Sequence, residues 1–391
     1  MSNTHEHLNN NKLSDSIKNT LANILPLYNC SLNASKITRI GNGLINDTYL
    51  VESSEARFVL QRINTHVFPK PQSIVENAEL IHQHLQQKIQ NKSYPFSSVG
   101  HLKNIHQSGL TCYENSVHNT DNNGDKKEYW RALDYIPNSV TIEAIETTQQ
   151  AELMANAFAQ FTTTLSDLDA RKLNETIPNF HHINTRLQQL STALNACSNS
   201  NSDKNKAQRI QESQTLISFI EHQKTFVKQV NELSTHLPLR VTHNDTKINN
   251  LLFSHLTQQP IAVIDLDTCM PGFLMNDFGD LVRTCCPNID ENNTDLHSMT
   301  IRMDIFKAIA RGYLTAFNNN LSKHEKESLV VGSQLIPFML GIRFLTDHIN
   351  GNIYFQTEYT KQNLDRAKNQ FHLFALLQEK HNELLEIVNA M

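Results

Sequence analysis

His243, Asp245 and Asn250 stand at fixed offsets in the stretch Val241-Thr242-His243-Asn244-Asp245-Thr246-Lys247-Ile248-Asn249-Asn250. An apolar run, Leu251-Leu252-Phe253, follows at once, and a second, Ile261-Ala262-Val263-Ile264, ends in Asp265. Phosphoryl transfer calls for this inventory. One carboxylate takes the acceptor's proton, while an amide and a second carboxylate supply hard oxygen ligands for Mg²⁺ on a nucleotide. Asp245 by itself reads as a turn or cap residue between two apolar segments. The combination outweighs that, because two apolar strands would bring Asn250 and Asp265 alongside each other.

The elements that must position these residues fall into two textures. Ile37-Thr38-Arg39-Ile40, Thr48-Tyr49-Leu50-Val51 and Arg57-Phe58-Val59-Leu60-Gln61-Arg62-Ile63 read as strands joined by turns. A capping-box pattern, Ser73-x-x-Glu76, predicts a helix through Leu80, Ile81, Leu85 and Ile89. Two further strands flank a polar loop at 120–127, the second ending at Pro137. Beyond Pro137 the periodicity is helical: 149–165, 210–233, 303–317, 329–349 and 362–388, with an Asn/Ser-rich connection at 195–206. Strands first and helices after predict an α+β fold in two lobes rather than an alternating parallel sheet. The expected division is a flexible or loosely helical 1–25, a strand-rich lobe over 26–137 and a mainly helical lobe over 138–391.

The bulk numbers agree with a two-lobed globular chain. It has 391 residues, 39% of them hydrophobic. A net charge of −5 argues against a nucleic-acid partner. Six cysteines lack any CxxC pair, and adjacent Cys285-Cys286 make a poor disulfide framework, so reduced thiols and a cytoplasmic location are expected. The polar first 20 residues lack the apolar core of a signal peptide. The most apolar window, 335–345, is short for a bilayer span and contains Arg343, so no membrane partner is expected.

The motifs together resemble the aminoglycoside phosphotransferase and choline kinase superfamily. His243, Asp245 and Asn250 match its H-x-D-x-x-x-x-N loop, and Ile264-Asp265 its metal motif. Further segments resemble one branch, the N-acetylhexosamine 1-kinase group: Gly41-Asn42-Gly43-Leu44-Ile45-Asn46-Asp47-Thr48-Tyr49, Phe58-Val59-Leu60-Gln61-Arg62-Ile63-Asn64, and Arg343-Phe344-Leu345-Thr346-Asp347-His348-Ile349-Asn350-Gly351 with Tyr354-Phe355.

The resemblance implies a protein-kinase-like fold, ATP and Mg²⁺ as cofactors, and a role for each matched residue. Asp245 becomes the base for the sugar's anomeric hydroxyl, with His243 orienting its loop. Asn250 and Asp265 hold Mg²⁺, and Asp267 takes a second metal or a water. Gly41, Gly43, Asn46 and Thr48 form the nucleotide-facing turn, and backbone groups from Asp134 to Ile136 meet the adenine. Arg343, Asp347 and Tyr354 contact the sugar, and Arg283 serves either the sugar or an ion pair. Asp277 and Asp280 are scaffold, with Asp280 tying the metal loop to the helix behind it.

Several alternatives stand beside these roles. The glycine turn is equally well a plain hairpin. Arg343 with Asp347 one turn on is equally well a structural ion pair. His181-His182 reads as an exposed loop pair. The third strand carries Gln61 where the superfamily usually has Lys; Gln61 and Arg62 point to opposite faces, so only one can face the phosphates. Arg62 is the expected contact, and its acidic partner, Glu76 or Glu79, stays open. The leading functional reading is a sugar 1-kinase, monomeric or weakly dimeric, acting on a small-molecule sugar. A kinase of the same fold for an aminoglycoside, choline or N-acetylmuramate, or a silent nucleotide-binding protein, are the competitors.

Overall fold

The computed structural model describes residues 13–40, 45–115, 126–195, 204–318 and 320–391. The chain divides into two compact units: 1–82 with 99–137, and 83–98 with 138–391. Residues 83–98, expected in the first lobe, therefore belong to the second unit.

The first unit opens with α1 (Asp15–Ile24), whose N-terminus is capped by the Ser14 hydroxyl accepting from Ile17 N at 3.3 Å. Leu21 and Ile24 are fully buried, so this segment is part of the core and not the loose terminus its polar composition suggests. Strands β1 (Lys36–Arg39), β2 (Asp47–Glu52) and β3 (Arg57–Ile63) form an antiparallel meander. Helix α2 (Pro71–Gln90) begins with Pro71, two residues ahead of the predicted cap at Ser73; proline's missing N–H costs nothing at a first helical position. The chain then gives β4 (Ser97–Ser98) to the second unit and returns with β5 (His101–Leu102), β6 (Thr111–Asn115) and β7 (Lys126–Asp134). The sheet order is β1-β2-β3-β7-β5, with β6 also paired to β7. Residues 120–125 of the predicted 120–127 loop lie outside the described residues.

Alternation along β3 and β7 sorts the sheet into two faces. Phe58, Leu60, Trp130 and Ala132 share a core with Leu21 and Ile24 of α1 and with Leu25 just beyond it. Gln61 pairs directly with Arg131 and with Thr48, so these three stand on the opposite face.

In the second unit, β8 (Ser139–Val140) precedes α3 (Thr148–Thr164), which starts with a complete capping box from Thr147 and Gln150. After α4 (Ile183–Asn195), the helix predicted over 210–233 is three: α5 (Lys204–Glu212), α6 (Gln214–Glu221) and α7 (Lys224–Ser234). The first break is at Ser213, whose hydroxyl donates back to Arg209 O at 2.7 Å and competes with the helix ladder. Short strands β9 (Arg240–Thr242), β10 (Leu251–Ser254), β11 (Pro260–Val263) and β12 (Met270–Gly272) follow. β10 and β11 make a hairpin flanked by β8 and β4, and β12 pairs with β9. Then come α8 (Leu274–Cys285), α9 (Met303–Phe317), α10 (Lys323–Asn350), α11 (Gln362–Glu379) and α12 (His381–Asn389). The last two divide the predicted 362–388 helix.

Helix α10 is 28 residues long and, by length and composition, could cross a membrane, which corrects the reading of 335–345 as too short. Its most apolar window is 83% buried inside the unit, the mark of a core helix. α10 and α8 approach so closely that each meets the other through glycine. A Cβ on Gly279 would strike the Gly332 carbonyl, and one on Gly332 would strike the Met275 carbonyl. On helix propensity alone, Gly332→Ala should stabilise by about 1 kcal/mol. The backbone clash reverses the sign: a loss of about 1–3 kcal/mol is expected in urea unfolding. A neutral or stabilised variant would show that the two helices can separate freely.

Candidate active site

The predicted catalytic residues assemble within the second unit. The segment after β9 is held from below by one carboxylate. Asp277 of α8 accepts from His243 N at 2.9 Å and from Asn244 N at 2.7 Å, and its own carbonyl accepts from the Thr246 hydroxyl at 2.7 Å. Burial pushes Asp277 up to about 6, against the pull of His243 and the two N–H donors. Asp277 thus ties α8 to the catalytic loop, while the carboxylate of Asp280, expected to tie the metal loop to this helix, accepts from Arg283 Nε at 2.8 Å. Asn244 takes a left-handed φ of 64°, a conformation Asn tolerates better than most residues.

His243 is held on several sides by the structure around it. Its Nε2 donates to Ile264 O at 2.9 Å, which places the ring proton on that nitrogen. Phe158 and Phe161 meet the ring edge-on at 5.3 and 5.9 Å. Its backbone carbonyl accepts from the Thr268 hydroxyl at 2.7 Å. One histidine therefore joins the catalytic loop, the end of β11 and the turn beyond it.

Asn250 and Asp265 stand side by side, because Ile264 N donates to Asn250 O at 3.0 Å at the mouth of the β10–β11 hairpin. The Asn250 amide nitrogen donates to both Asp245 O and Asp245 Oδ2, each at 2.8 Å. That fixes which end of the amide is the nitrogen; among the described residues no hydrogen bond engages Asn250 Oδ1. Asp265 has φ 61°, an unfavourable value for a side chain with a Cβ and one that re-aims the chain after β11. An amide oxygen beside a carboxylate suits Mg²⁺, which takes few protein ligands together with phosphate and water. No group of three His, Cys, Asp or Glu that could hold a metal occurs among the described residues, so a cation here depends on nucleotide oxygens for the rest of its shell. Asp267 is buried, and its carbonyl accepts from the Thr176 hydroxyl at 2.7 Å.

Asp245 forms an ion pair with Lys247 at 2.9 Å. Burial favours its neutral form, but Lys247, His243 and the Asn250 amide outweigh that and hold the carboxylate below its ordinary range. Lys247 is raised in turn: burial is overcome by Asp245 and Asp265. Asp280 and Arg283 add a second pair at 2.8 Å, with Arg283 also reaching Glu291 at 3.3 Å. Burial raises Asp280, and the charge of Asp245 adds to it, so the two carboxylates are near neighbours. Arg283 thus takes part in ion pairs with both Asp280 and Glu291.

Arg343 on α10 does not pair with Asp347. Its guanidinium lies 5.3 Å from the Phe180 ring, 5.5 Å from Tyr354 and 5.3 Å from Phe355, and engages the Tyr354 side chain. No carboxylate among the described residues forms an ion pair with it. Burial lowers it, an effect that Arg283 reinforces and Tyr354 and Asp245 oppose. Asp347, expected to face a sugar, instead accepts the backbone N–H groups of Ile353 (2.9 Å), Tyr354 (2.8 Å) and Phe355 (2.9 Å), and the Asn363 amide at 2.9 Å. With its oxygens filled, it shapes the turn that offers Tyr354 and Phe355 to Arg343.

Sequence reasoning missed His181. It is half-buried, not an exposed loop residue, and its Nε2 donates to Asn244 O at 3.3 Å. Burial, with Arg343 and Arg186 nearby, presses it to about 3, so it is neutral. Lys247 and Phe180 were also missed. Lys247 could have been found from its place two residues after Asp245; Phe180 is 163 positions from Arg343 and left no local signal.

The nucleotide-facing expectations fall in the first unit. Asn46 Oδ1 accepts from Asn64 N at 3.0 Å, and the Thr48 hydroxyl accepts from the Gln61 amide at 3.0 Å. Asp134 N donates to Gly100 O at 3.0 Å and its carboxylate accepts from Gly100 N at 2.9 Å, so its N–H and carboxylate are engaged at the sheet edge. Ile136 lies just past β7. Gly41 and Gly43 lie outside the described residues. Arg62 corrects the expectation most directly: it pairs with Asp47 at 2.5 Å and Glu128 at 3.2 Å, on the face packed by α1. Of the two candidate acids on α2, Glu79 pairs with Lys103, and Glu76 accepts from the Gln72 amide at 3.2 Å.

Known structures share this architecture. A microcompartment-associated aminopropanol kinase superposes with a TM-score of 0.59 at 14% identity, covering 94% of this chain and 98% of its own. An aminoglycoside phosphotransferase from Alicyclobacillus acidocaldarius gives 0.54 at 12% identity, covering 92% and 94%. An ethanolamine kinase from Plasmodium vivax gives 0.50 at 14%, covering 88% and 83%. At these identities the likeness establishes the α+β kinase-like fold alone. Residues 36–314 match the Phosphotransferase enzyme family over most of the chain, and the chain belongs to that family.

Proposed function

We propose that this phosphotransferase moves the γ-phosphoryl group of ATP to the anomeric hydroxyl of an N-acetylhexosamine, releasing sugar 1-phosphate and ADP. The observation that carries the acceptor assignment is Arg343, a half-buried cation boxed by aromatic rings and, among the described residues, without a carboxylate in ion-pair contact. A guanidinium partly withdrawn from water needs an oxygen to bond. An acetamide carbonyl and ring hydroxyls supply that, and Tyr354 and Phe355 supply apolar faces for a sugar ring. The cationic acceptors of amino-alcohol and aminoglycoside kinases would meet Arg343 and Arg186 with like charge, although Asp280 tempers this.

Asp245 accepts the hydroxyl proton at a carboxylate oxygen, oriented by the Asn250 amide. An anomeric hydroxyl is more acidic than an ordinary alcohol, so a strongly ionised carboxylate is an adequate base. Asn250 and Asp265 hold Mg²⁺, which neutralises charge on the donor phosphates when bound. Lys247 adds positive charge beside the same oxygens. The residues themselves contribute mainly position and electrostatics, as phosphoryl transfer requires.

A coupled ADP-release assay over N-acetylglucosamine, N-acetylgalactosamine, galactose, choline and kanamycin tests the reading, with phosphorus NMR of the product. The expected result is turnover of the acetylated sugars and an anomeric phosphate. Faster turnover of choline or kanamycin, or phosphate on another carbon, would overturn it. Asp245→Asn should lower kcat by at least about a hundredfold while ATP still binds. Arg343→Ala should raise KM for the sugar well above any change in KM for ATP; equal rises would mark Arg343 as structural.

The pH profile carries a further test. Because Asp245 is depressed, kcat/KM should hold steady as pH falls through the slightly acidic range and drop only near or below the ordinary carboxylate value. Lys247→Met removes the main cation holding it there. The acidic limb should then move up by about one unit or more. An unmoved limb would show that Asp245 is not the group titrating.

A further inference from the structure

The turn ahead of α4 is held more firmly than a plain connection requires. Asn179 takes a left-handed φ of 54°, and His182 N donates to Asn179 O at 3.2 Å. Arg186, one turn into α4, donates from its guanidinium to Asn179 O at 3.1 Å and to Phe180 O at 2.6 Å. Arg186 is 7% exposed, so this clamp lies in the interior. Phe180 and His181 stand between the clamp and the catalytic loop. The Arg343 guanidinium lies 5.3 Å from the Phe180 ring, and the Phe180 and His181 rings meet at 4.4 Å. His181 Nε2 then reaches the carbonyl of Asn244, the residue just before Asp245. One built turn therefore joins the loop of the base to the corner that holds Arg343.

The contact with Asn244 fixes what the rest of the imidazole can do. A carbonyl oxygen only accepts, so Nε2 carries the ring proton and Nδ1 is a lone pair. Burial keeps the ring from gaining a second proton. Among the described residues no hydrogen bond engages Nδ1, and it is not one of the polar atoms closed off from solvent. The ring as a whole is half-buried. The charges of Asp245 and Arg343 both act on it, which puts it beside the base and the guanidinium together. An accessible lone pair with its direction already set costs a ligand little ordering to use.

We propose that His181 is a specificity-determining residue of the acceptor site, its Nδ1 accepting a hydrogen bond from a hydroxyl or amide N–H of the acceptor other than the hydroxyl that is phosphorylated. Arg343 and His181 divide the acceptor between them: the guanidinium takes its oxygens and the imidazole takes a polar hydrogen. Together they select a compound with several polar groups over a simple amino alcohol. The assignment rests on the reading of this chain as a kinase of an N-acetylhexosamine.

The test is steady-state kinetics on N-acetylglucosamine and on analogues that each lack one donor: the monodeoxy sugars missing a single non-anomeric hydroxyl, and the sugar with an ester in place of its acetamide. Wild-type protein should lose about threefold to tenfold in kcat/KM with one of these, the worth of one hydrogen bond. His181→Phe keeps a flat ring and removes the lone pair. It should be indifferent to that same deletion while the other analogues keep their wild-type ratios. His181→Gln can still offer an N–H to Asn244 O and lacks the lone pair, so KM for the sugar should rise by a similar factor while KM for ATP holds. If His181→Phe does not fold, His181→Gln takes its place in the comparison. Losses that are the same for every analogue in the variants as in wild type would mark His181 as structural and overturn the assignment. A wild-type scan in which no deletion matters also overturns it, with no variant needed. If no acetylated sugar is turned over, the acceptor reading fails first, and the same scan on the acceptor that the ADP-release assay identifies decides; an acceptor such as choline, with no second donor, overturns both.

Discussion

The site depends first on the Asp277 carboxylate. It is buried, and both of its oxygens accept backbone N–H groups, from His243 and Asn244. Those donors have no strand partner at this bend, and leaving them unpaired in the interior would cost about 1–3 kcal/mol each. Asp277 satisfies them and so decides where the loop turns. Asp245, one residue on, inherits its position from that turn. His243 then carries the constraint to Ile264 O and, through Thr268, to the residues that follow Asp265. Backbone hydrogen bonds in the core set the chemistry's geometry, and the reactive side chains follow.

A second layer of polar contacts shapes the surroundings of Arg283 and Arg343. α11 presents Gln362, Asn363, Arg366 and Asn369, spaced to share one face of the helix and all buried. Arg366 donates to Asn292 Oδ1 at 2.8 Å and to Gln356 O at 3.1 Å, and Asn369 donates to the carbonyls of Asp290 and Asn293, both at 3.1 Å. Asn363 reaches Asp347. The loop bearing Glu291, partner of Arg283, and the turn bearing Tyr354 are therefore fastened to the same helix. The close α8–α10 crossing at Gly279 and Gly332 fixes the remaining distance, between Arg283 on one helix and Arg343 on the other.

What could be read from the sequence follows from how local each constraint is. The catalytic loop and the pairing of Asn250 with Asp265 were legible because two short apolar strands with one intervening turn leave few ways to fold. The order of strands and then helices was legible for the same reason. Asp347 was misread because its spacing from Arg343 fits an i,i+4 ion pair, while its real partners are three N–H groups in a turn beyond the helix end. α1 was misread because its polar face dominates the composition, although Leu21 and Ile24 at helical spacing complete the sheet's core. The long α10 was cut short because its charged first turns hide a helix whose remainder is enclosed by others.

The hairpin that carries Asn250 and Asp265 separates function from length. Its reactive end is pinned by Ile264 N to Asn250 O and by His243, while its other end, 255–259, turns at the surface with Leu256 82% exposed. Between the two ends, the register shifts between Leu252 and Phe253. Such an irregularity takes up an added or missing residue within the strand pair. A longer or shorter turn at 255–259 is therefore expected to leave the Asn250–Asp265 end of the hairpin in place.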